Sequence, residues 1–418
     1  MNRFRALVLV LFTVIASIVS ASASVISDWN GIAVTTIVAN AGKPPAVATI
    51  DLVYVNVAMY DAVNAIDGRY TVFAVSPTTP TAGASEEAAA IAAAYFVLRT
   101  FYPGQAAFLD GQYAASLVPI PEGDAKSRGV QIGKEVATLY LAQRSTDGRN
   151  ANITYTPGSG PGAWQPTPPA FLAAQGPWIA QMTPFAINSP SQFRADPPPA
   201  LDSATWFADY NESRNLGEIN SVTRTPEQTE IGLFYTEHTG RQYNRILRDF
   251  AGAQNFSLAD EARFMAQMFV SIGDALISVW DSKFDYGRWR PVTAIRVTDD
   301  PNWTPLAVTP NHPEYPAAHG GFTGALAEGL RQFFGTKDVT ITLSSTVTGT
   351  TRTFYNTDDL VKEIVVARIY GGMHFRTSVI EGKVQGTKAA KWVAKHCFLP
   401  VETNAAISGC DSGHSRSR

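Results

Sequence analysis

Asn311-His312-Pro313-Glu314-Tyr315-Pro316-Ala317-Ala318-His319-Gly320-Gly321 sets two histidines and a carboxylate around a proline able to open a helix. Proline suits the first helical turn, where its missing N–H leaves nothing unpaired. The amides of Ala317, Ala318 and His319 then lack helical partners, and they form a cradle for an anion at the positive end of the helix. His319 lies in that first turn, placed to exchange a proton with a ligand held there. A cation site made from His312, Glu314 and His319 is the alternative, but their spacing matches no zinc pattern.

Two further segments carry fixed charge beside helix breakers. In Lys283-Phe-Asp-Tyr-Gly-Arg-Trp-Arg290-Pro291, seven residues subtend about 700° on an ideal helix, so Lys283 and Arg290 share a face. Gly287 interrupts that helix and Pro291 suits the start of the next. Two converging cations suggest a tetrahedral oxyanion, with Arg290 able to grip it bidentately. In Arg368-Ile-Tyr-Gly371-Gly372-Met-His374-Phe-Arg376, a straight helix would turn Arg368 and His374 about 240° apart. The Gly-Gly pair ends the helix and can bring both to one pocket.

Outward from these segments the chain reads as mostly helical. Helical periodicity covers 45–66, 85–101 and 124–144, then 226–237, 241–253, 257–282, 316–334, 358–371 and 376–396. The stretch 156–199 is dominated by proline and glycine yet carries Trp and Phe, which need burial, so it should wrap across a helical surface. VTITLSSTVTGTTRTFY, 339–355, predicts one small β-hairpin. The expected fold class is therefore mainly α, helical bundles with a proline-rich wrap and a single hairpin. We divide the chain into a signal peptide (1–23), an N-terminal helical region (24–155), the wrap (156–200), a C-terminal helical catalytic domain (201–396) and a tail (397–418).

Composition narrows the function. With 33 basic against 36 acidic side chains in 418 residues, the net charge of −3 excludes a basic nucleic-acid footprint. Cys397 and Cys410, the only cysteines, exclude a disulfide scaffold or a four-thiolate metal site. The start of the chain has Arg3 and Arg5, an apolar run and Ala21-Ser22-Ala23, and it reads as a secretory signal. Its apolar run is shorter than the ~20 residues that span a bilayer, and no later stretch looks apolar enough to do so. The expected product is secreted or periplasmic, without a stable membrane anchor after cleavage, where Cys397 and Cys410 could pair. A homo-oligomer stays open. His238, His396 and His414 receive no role; Glu237-His238 is expected at the surface, with a place near the pocket as the alternative.

Taken together, the three charged segments resemble the shared active site of the vanadium-dependent haloperoxidases and type-2 phosphatidic acid phosphatases. That pattern is Lys, six residues, Arg-Pro; then Pro-Ser-x-His; then Ser-Arg, three residues, Gly-x-His. Here it stands as Lys283–Arg290-Pro291, Pro316-Ala317-Ala318-His319 and Ala367-Arg368–Gly372-Met373-His374. HPEYPAAHG, RIYGGMHF and the upstream PGAWQPTPP are similar to the bacterial haloperoxidase-like branch.

The resemblance implies vanadate as cofactor, or phosphate if the pocket is a phosphatase. Lys283, Arg290 and Arg368, with the Ala318 amide, would neutralise the anion's oxygens. His374 would ligate vanadium, His319 would act as acid–base, and Lys283 would polarise bound peroxide. Hydrogen peroxide, a halide and an organic acceptor would be the small-molecule partners. Trp280 matches an aromatic of chloroperoxidases and His312 a histidine of bromoperoxidases, so the halide pocket they imply selects no halide. Two positions depart from the pattern. Ala317 replaces a serine hydroxyl that would bond the anion, and Ser378 replaces the aspartate that orients the nucleophilic histidine in the phosphatases. Three functions follow: a haloperoxidase; a phosphatase of phosphate monoesters or lipid phosphates with His374 as nucleophile; or an exported anion-binding protein that has lost activity.

Overall fold

The computed structural model describes residues 24–401. The expected signal segment, Cys410 and His414 lie outside those residues. Among them run thirteen α-helices: α1 (Val25–Val34), α2 (Pro45–Asp67), α3 (Glu86–Phe101), α4 (Ala106–Leu117), α5 (Asp124–Gln143), α6 (Ala204–Gly217), α7 (Pro226–Phe234), α8 (Thr239–Gly252), α9 (Leu258–Tyr286), α10 (Pro291–Thr298), α11 (Ala318–Phe334), α12 (Thr357–Tyr370) and α13 (Arg376–His396). Strands β1 (Ile341–Ser344) and β2 (Thr351–Phe354) pair antiparallel, Ile341 opposite Phe354, and make the expected hairpin. The fold is helical, as its sequence predicts.

The helix ends follow local chemistry. Ser85, Ser257 and Asn356 side chains each accept a backbone N–H of the first turn, and Thr225 with Gln228 forms a full capping box. Helix α9 runs four residues beyond the expected 282. It stops at Gly287, whose φ of +52° ends the helix in the left-handed region, with its N–H on the Lys283 carbonyl at 2.9 Å. Lys283 thereby sits in the last turn.

Helix α9 lies at the centre, between α2 on one side and α11 and α13 on the other. The expectation that no later stretch could span a bilayer needs correction. Both α2 and α9 are long and apolar enough, yet 100% and 94% of their most apolar windows lie inside the fold. An apolar helix of this kind is a core helix here, its surface used in packing. Helices α11 and α13 approach backbone to backbone. A Cβ on Gly386 would come within 2.0 Å of the Gly321 carbonyl, and one on Gly382 within 2.2 Å of the Ala317 carbonyl. This contact fixes the start of α11 against α13.

The proline-rich stretch does wrap. Trp164 is fully buried, its N–H on the Gly287 carbonyl at 2.7 Å, and Trp289 N–H returns to the Gly162 carbonyl at 2.8 Å. The amides of Phe185, Ala186 and Ile187 converge on the buried Asp274 carboxylate of α9, at 2.7, 2.7 and 2.9 Å. Arg194 clamps Asp281 through two bonds of 2.7 and 2.8 Å. Phe171 and Leu172 are the exceptions, 63% and 56% exposed. Further along, Asn311 exchanges bonds with Ala173 and Gln175, so the wrap also braces the loop before α11.

Candidate functional site

The three charged segments meet. Lys283 leaves the last turn of α9, and Arg290 stands at the N-cap of α10 behind the Gly287 break. The 311–317 loop leads into α11. Gly371 ends α12 and Gly372, at φ +71°, turns the chain so that His374 comes back beside Arg290. Lys283, Arg290, Arg368, His312, Glu314 and His374 are all buried.

Arg290 is the hub. Its Nε donates to the His312 carbonyl, its Nη1 to the Met373 carbonyl and to His374 Nε2, and its Nη2 to His312 Nδ1, each at 2.9 Å. A guanidinium has no acceptor, so the ring nitrogens facing it must carry lone pairs. His374 therefore holds its proton on Nδ1, and Nδ1 donates to Glu314 Oε1 at 2.8 Å. The same oxygen accepts from the Phe375 amide at 3.0 Å. Glu314 thus fixes the tautomer and puts the lone pair on Nε2, where Arg290 Nη1 now donates to it, so a ligand on Nε2 takes the place of that donor. Sequence reading considered Glu314 only as a cation ligand. Among the described residues no group of three His, Cys, Asp or Glu could hold a metal ion, which removes the His312–Glu314–His319 alternative there.

Glu314 also answers the Ser378 departure. Ser378 lies beside this acid, its hydroxyl on the Glu314 carbonyl at 3.3 Å. The carboxylate behind the histidine comes from the α11 loop instead. A second correction concerns the anion cradle. Helix α11 begins at Ala318, not Pro316, because the Ala317 amide is bonded to the Ser378 carbonyl at 2.9 Å. The open amides are those of Ala318 and the residues after it, since the first turn's own ladder leaves them unpaired.

Lys283 Nζ donates to the Pro313 and Glu314 carbonyls at 2.8 and 2.9 Å and lies 5.8 Å from the Trp280 ring. Trp280 and His312 pack ring on ring, centroids 4.9 Å apart. Arg368 Nη1 reaches the Tyr235 carbonyl at 2.9 Å and Nη2 the Met373 thioether at 3.0 Å. The Tyr235 carbonyl also engages the His319 ring. Two polar atoms here are buried without a partner, Arg368 Nε and His319 Nε2. An imidazole facing a carbonyl must offer N–H, so the orphan His319 Nε2 carries a lone pair.

Outside His319 and Arg368 opens a cleft of about 420 Å³, lined among others by Leu233, Glu237, His238, Val308, Pro310 and Met373. Glu237 and His238 were expected at the surface. Glu237 is instead buried and ion-paired with Arg245 at 2.8 Å, and His238 Nε2 bonds the Lys43 carbonyl at 3.0 Å. His396 packs on Trp392, remote in role.

The electrostatics favour an anion. Two guanidinium groups and the Lys283 amine face one carboxylate, and burial, then the Arg290 charge, holds Lys283 well below the usual lysine range. Burial, helped by neighbouring positive charge, holds Arg368 down at about 9, and burial alone outweighs Glu314 in holding Arg290 at about 10. Burial and then the adjacent guanidinium groups keep His312, His319 and His374 well below the usual histidine range, hence neutral. Burial pushes the Glu314 carboxyl up to about 7 against the pull of Arg290 and Lys283. An oxyanion relieves the surplus charge and gives the orphan Arg368 Nε an acceptor. These residues fit vanadate or phosphate, held by nitrogen donors.

A helical body of this order around buried cations and two imidazoles defines the vanadium-haloperoxidase type of fold. Residues 263–402 match the protein family described as the VCPO second helical-bundle domain. The vanadium chloroperoxidase of Curvularia inaequalis is 25% identical over 277 residues, covering 52% of this chain and 45% of its own length. The chain thus spans less than half of that relative. The crystal structure of the first bacterial vanadium-dependent iodoperoxidase superposes with a TM-score of 0.79 at 25% identity, covering 92% of this chain and 99% of that one. An apo-type bacterial vanadium-dependent chloroperoxidase gives a TM-score of 0.70 at 18% identity, over 84% and 94%, a likeness of fold. The chain is a relative of the vanadium haloperoxidases.

Proposed function

We propose that this chain is a vanadate-dependent haloperoxidase that oxidises halide with hydrogen peroxide to a hypohalous-acid-type species. The observation that carries the reading is His374: its Nδ1 is tied to Glu314, and its Nε2 lone pair stands among three buried basic groups. Bound vanadate would supply a Lewis-acid centre able to activate peroxide without a redox-active side chain. Lys283, Arg290 and Arg368 would bind the oxyanion by charge, and the Ala318 amide at the helix N-terminus would add a donor. His374 Nε2 would offer the single protein ligand. His319 Nε2, neutral and unpartnered, would take a proton from incoming peroxide and return one to the departing oxygen. Trp280 and His312 would form the wall on the Lys283 side. The iodo- and chloroperoxidase relatives do not agree on a halide, and we assign none. The reading includes an organic acceptor and an exported location.

One observation favours a second reading. A carboxylate oriented on a neutral histidine is also what a phosphoryl-transfer nucleophile needs, and Glu314 supplies it where Ser378 does not. Purified protein incubated with orthovanadate, peroxide and bromide or iodide, and followed by halogenation of a dye, separates the two. Vanadate-dependent turnover supports the haloperoxidase. Hydrolysis of a phosphate ester that vanadate inhibits supports the phosphatase. Oxyanion binding with neither activity would leave an inactive anion-binding protein and contradict both.

A further inference from the structure

We infer that Tyr286, Tyr315 and Asn311 are positioning residues through which the proline-rich wrap sets the shape of the oxyanion pocket. The inference rests on that pocket holding an oxyanion, the part of the reading above that haloperoxidase and phosphatase share. The pocket is built around one short loop. Lys283 Nζ donates to the Pro313 and Glu314 carbonyls, Arg290 Nε to the His312 carbonyl, and His374 Nδ1 to the Glu314 carboxylate. Two basic side chains and one imidazole are therefore placed by residues 312–314, and they stay in register only while that backbone is held.

The wrap holds the loop at both ends. Before it, Asn311 Nδ2 donates to the Ala173 carbonyl at 2.7 Å, and the Asn311 carbonyl accepts the Gln175 amide at 2.8 Å. After it, the Tyr315 hydroxyl donates to the Asp196 carbonyl at 2.7 Å. The adjoining Ala195 carbonyl accepts the Tyr286 hydroxyl, also at 2.7 Å. Tyr286 follows Lys283 by three residues in the last turn of α9, and its ring meets the Tyr315 ring edge on, centroids 5.7 Å apart. Two consecutive wrap carbonyls thus tie down both the helix end that carries Lys283 and the loop whose carbonyls receive its amine. The wrap lies outside the helical bundle matched at 263–402, yet it clamps that bundle's charged pocket. An anion binds at lower cost when its donors are already fixed. One hydrogen bond, if its whole net contribution goes into holding the pocket, is worth about fivefold in affinity.

The test uses the full chain with orthovanadate as probe, its dissociation constant measured by equilibrium dialysis at a temperature where thermal unfolding shows every variant folded. Tyr286→Phe, Tyr315→Phe and Asn311→Ala each remove one bond to the wrap, and the two tyrosine variants keep the ring contact. Expected is affinity about fivefold weaker in each, and weaker still when the two tyrosine changes are combined. Trp392→Phe is the comparison. It removes the indole bond to the Ala186 carbonyl, a wrap contact of 3.0 Å made fourteen residues along α13 from Ser378, about 21 Å away. Its affinity should stay at the wild-type level whatever its melting temperature does. Wild-type affinity in all three variants overturns the inference and leaves the oxyanion reading intact. An equal loss in Trp392→Phe also overturns it, since any loosening of the wrap would then act alike. A wild-type chain that binds no orthovanadate overturns the oxyanion reading and the inference with it.

Discussion

Replacing Glu314 by glutamine removes one negative charge while keeping an oxygen where Oε1 now stands. That oxygen accepts from His374 Nδ1 at 2.8 Å and from the Phe375 amide at 3.0 Å, and a glutamine carbonyl can accept both. Burial already pushes the Glu314 carboxyl up to about 7, so a neutral side chain costs the fold little. What changes is the strength of the two bonds. Charged acceptors are worth about 1 kcal/mol more each than neutral ones, so the bond that orients the His374 ring weakens by roughly 1 kcal/mol, about fivefold in rate, and the Phe375 amide bond beside it weakens by a similar amount. Anion affinity should change less, because the deleted charge leaves the three basic groups less compensated. Glu314→Ala behaves differently, leaving two buried donors unpaired at about 1–3 kcal/mol each, and its melting temperature should fall. Turnover is compared at pH 8, above the Glu314 value, where the wild-type carboxylate is ionised. Wild-type turnover in Glu314→Gln, or equal turnover in the glutamine and alanine variants, would refute this role for Glu314.

Other changes probe the neighbouring parts. His319→Ala should slow vanadate-dependent turnover by 10²-fold or more, the usual worth of a general acid–base, while equilibrium dialysis still finds bound vanadate. Ala317→Ser returns a hydroxyl to the start of α11, and phosphate affinity measured by calorimetry should tighten by about tenfold. Gly386→Ala places a Cβ within 2.0 Å of the Gly321 carbonyl, so α11 and α13 must separate; the melting temperature should fall by several degrees. Away from the site, Thr78 and then Thr79 hold the Glu135 carboxyl down to about 2. A depressed acid stabilises the fold above its unfolded value near 4.5 and loses that contribution as pH falls toward about 2. Glu135→Gln should therefore flatten acid unfolding between those pH values, followed by tryptophan fluorescence.

Helix breakers and fixed charge made much of the site legible in sequence. Gly287 and Gly371-Gly372 mark where the chain leaves a helix, and those exits bring Lys283, Arg290, Arg368 and His374 together. Glu314 was not legible as their partner. Spacing along one segment carries no signal for which carboxylate faces a histidine sixty residues away, and the empty position at Ser378 was the single hint. The late start of α11 was hidden for the same reason, since the Ala317 amide is claimed by Ser378 of another helix. For Glu237 and His238 the sequence favours the surface over the pocket, because a charged dipeptide after a short helix is usually exposed; the packing of α8 against the hairpin, with Arg245 on Glu237, decides for the cleft.

The central claim is that three separated segments enclose one oxyanion bound through His374. A crystal structure of the protein soaked with orthovanadate, with vanadium located by anomalous scattering, tests it most directly. The account predicts one site per chain, bonded to His374 Nε2 and contacted by Lys283, Arg290 and Arg368, and absent in His374→Ala. Vanadium found elsewhere, or held equally well without the His374 imidazole, would contradict it.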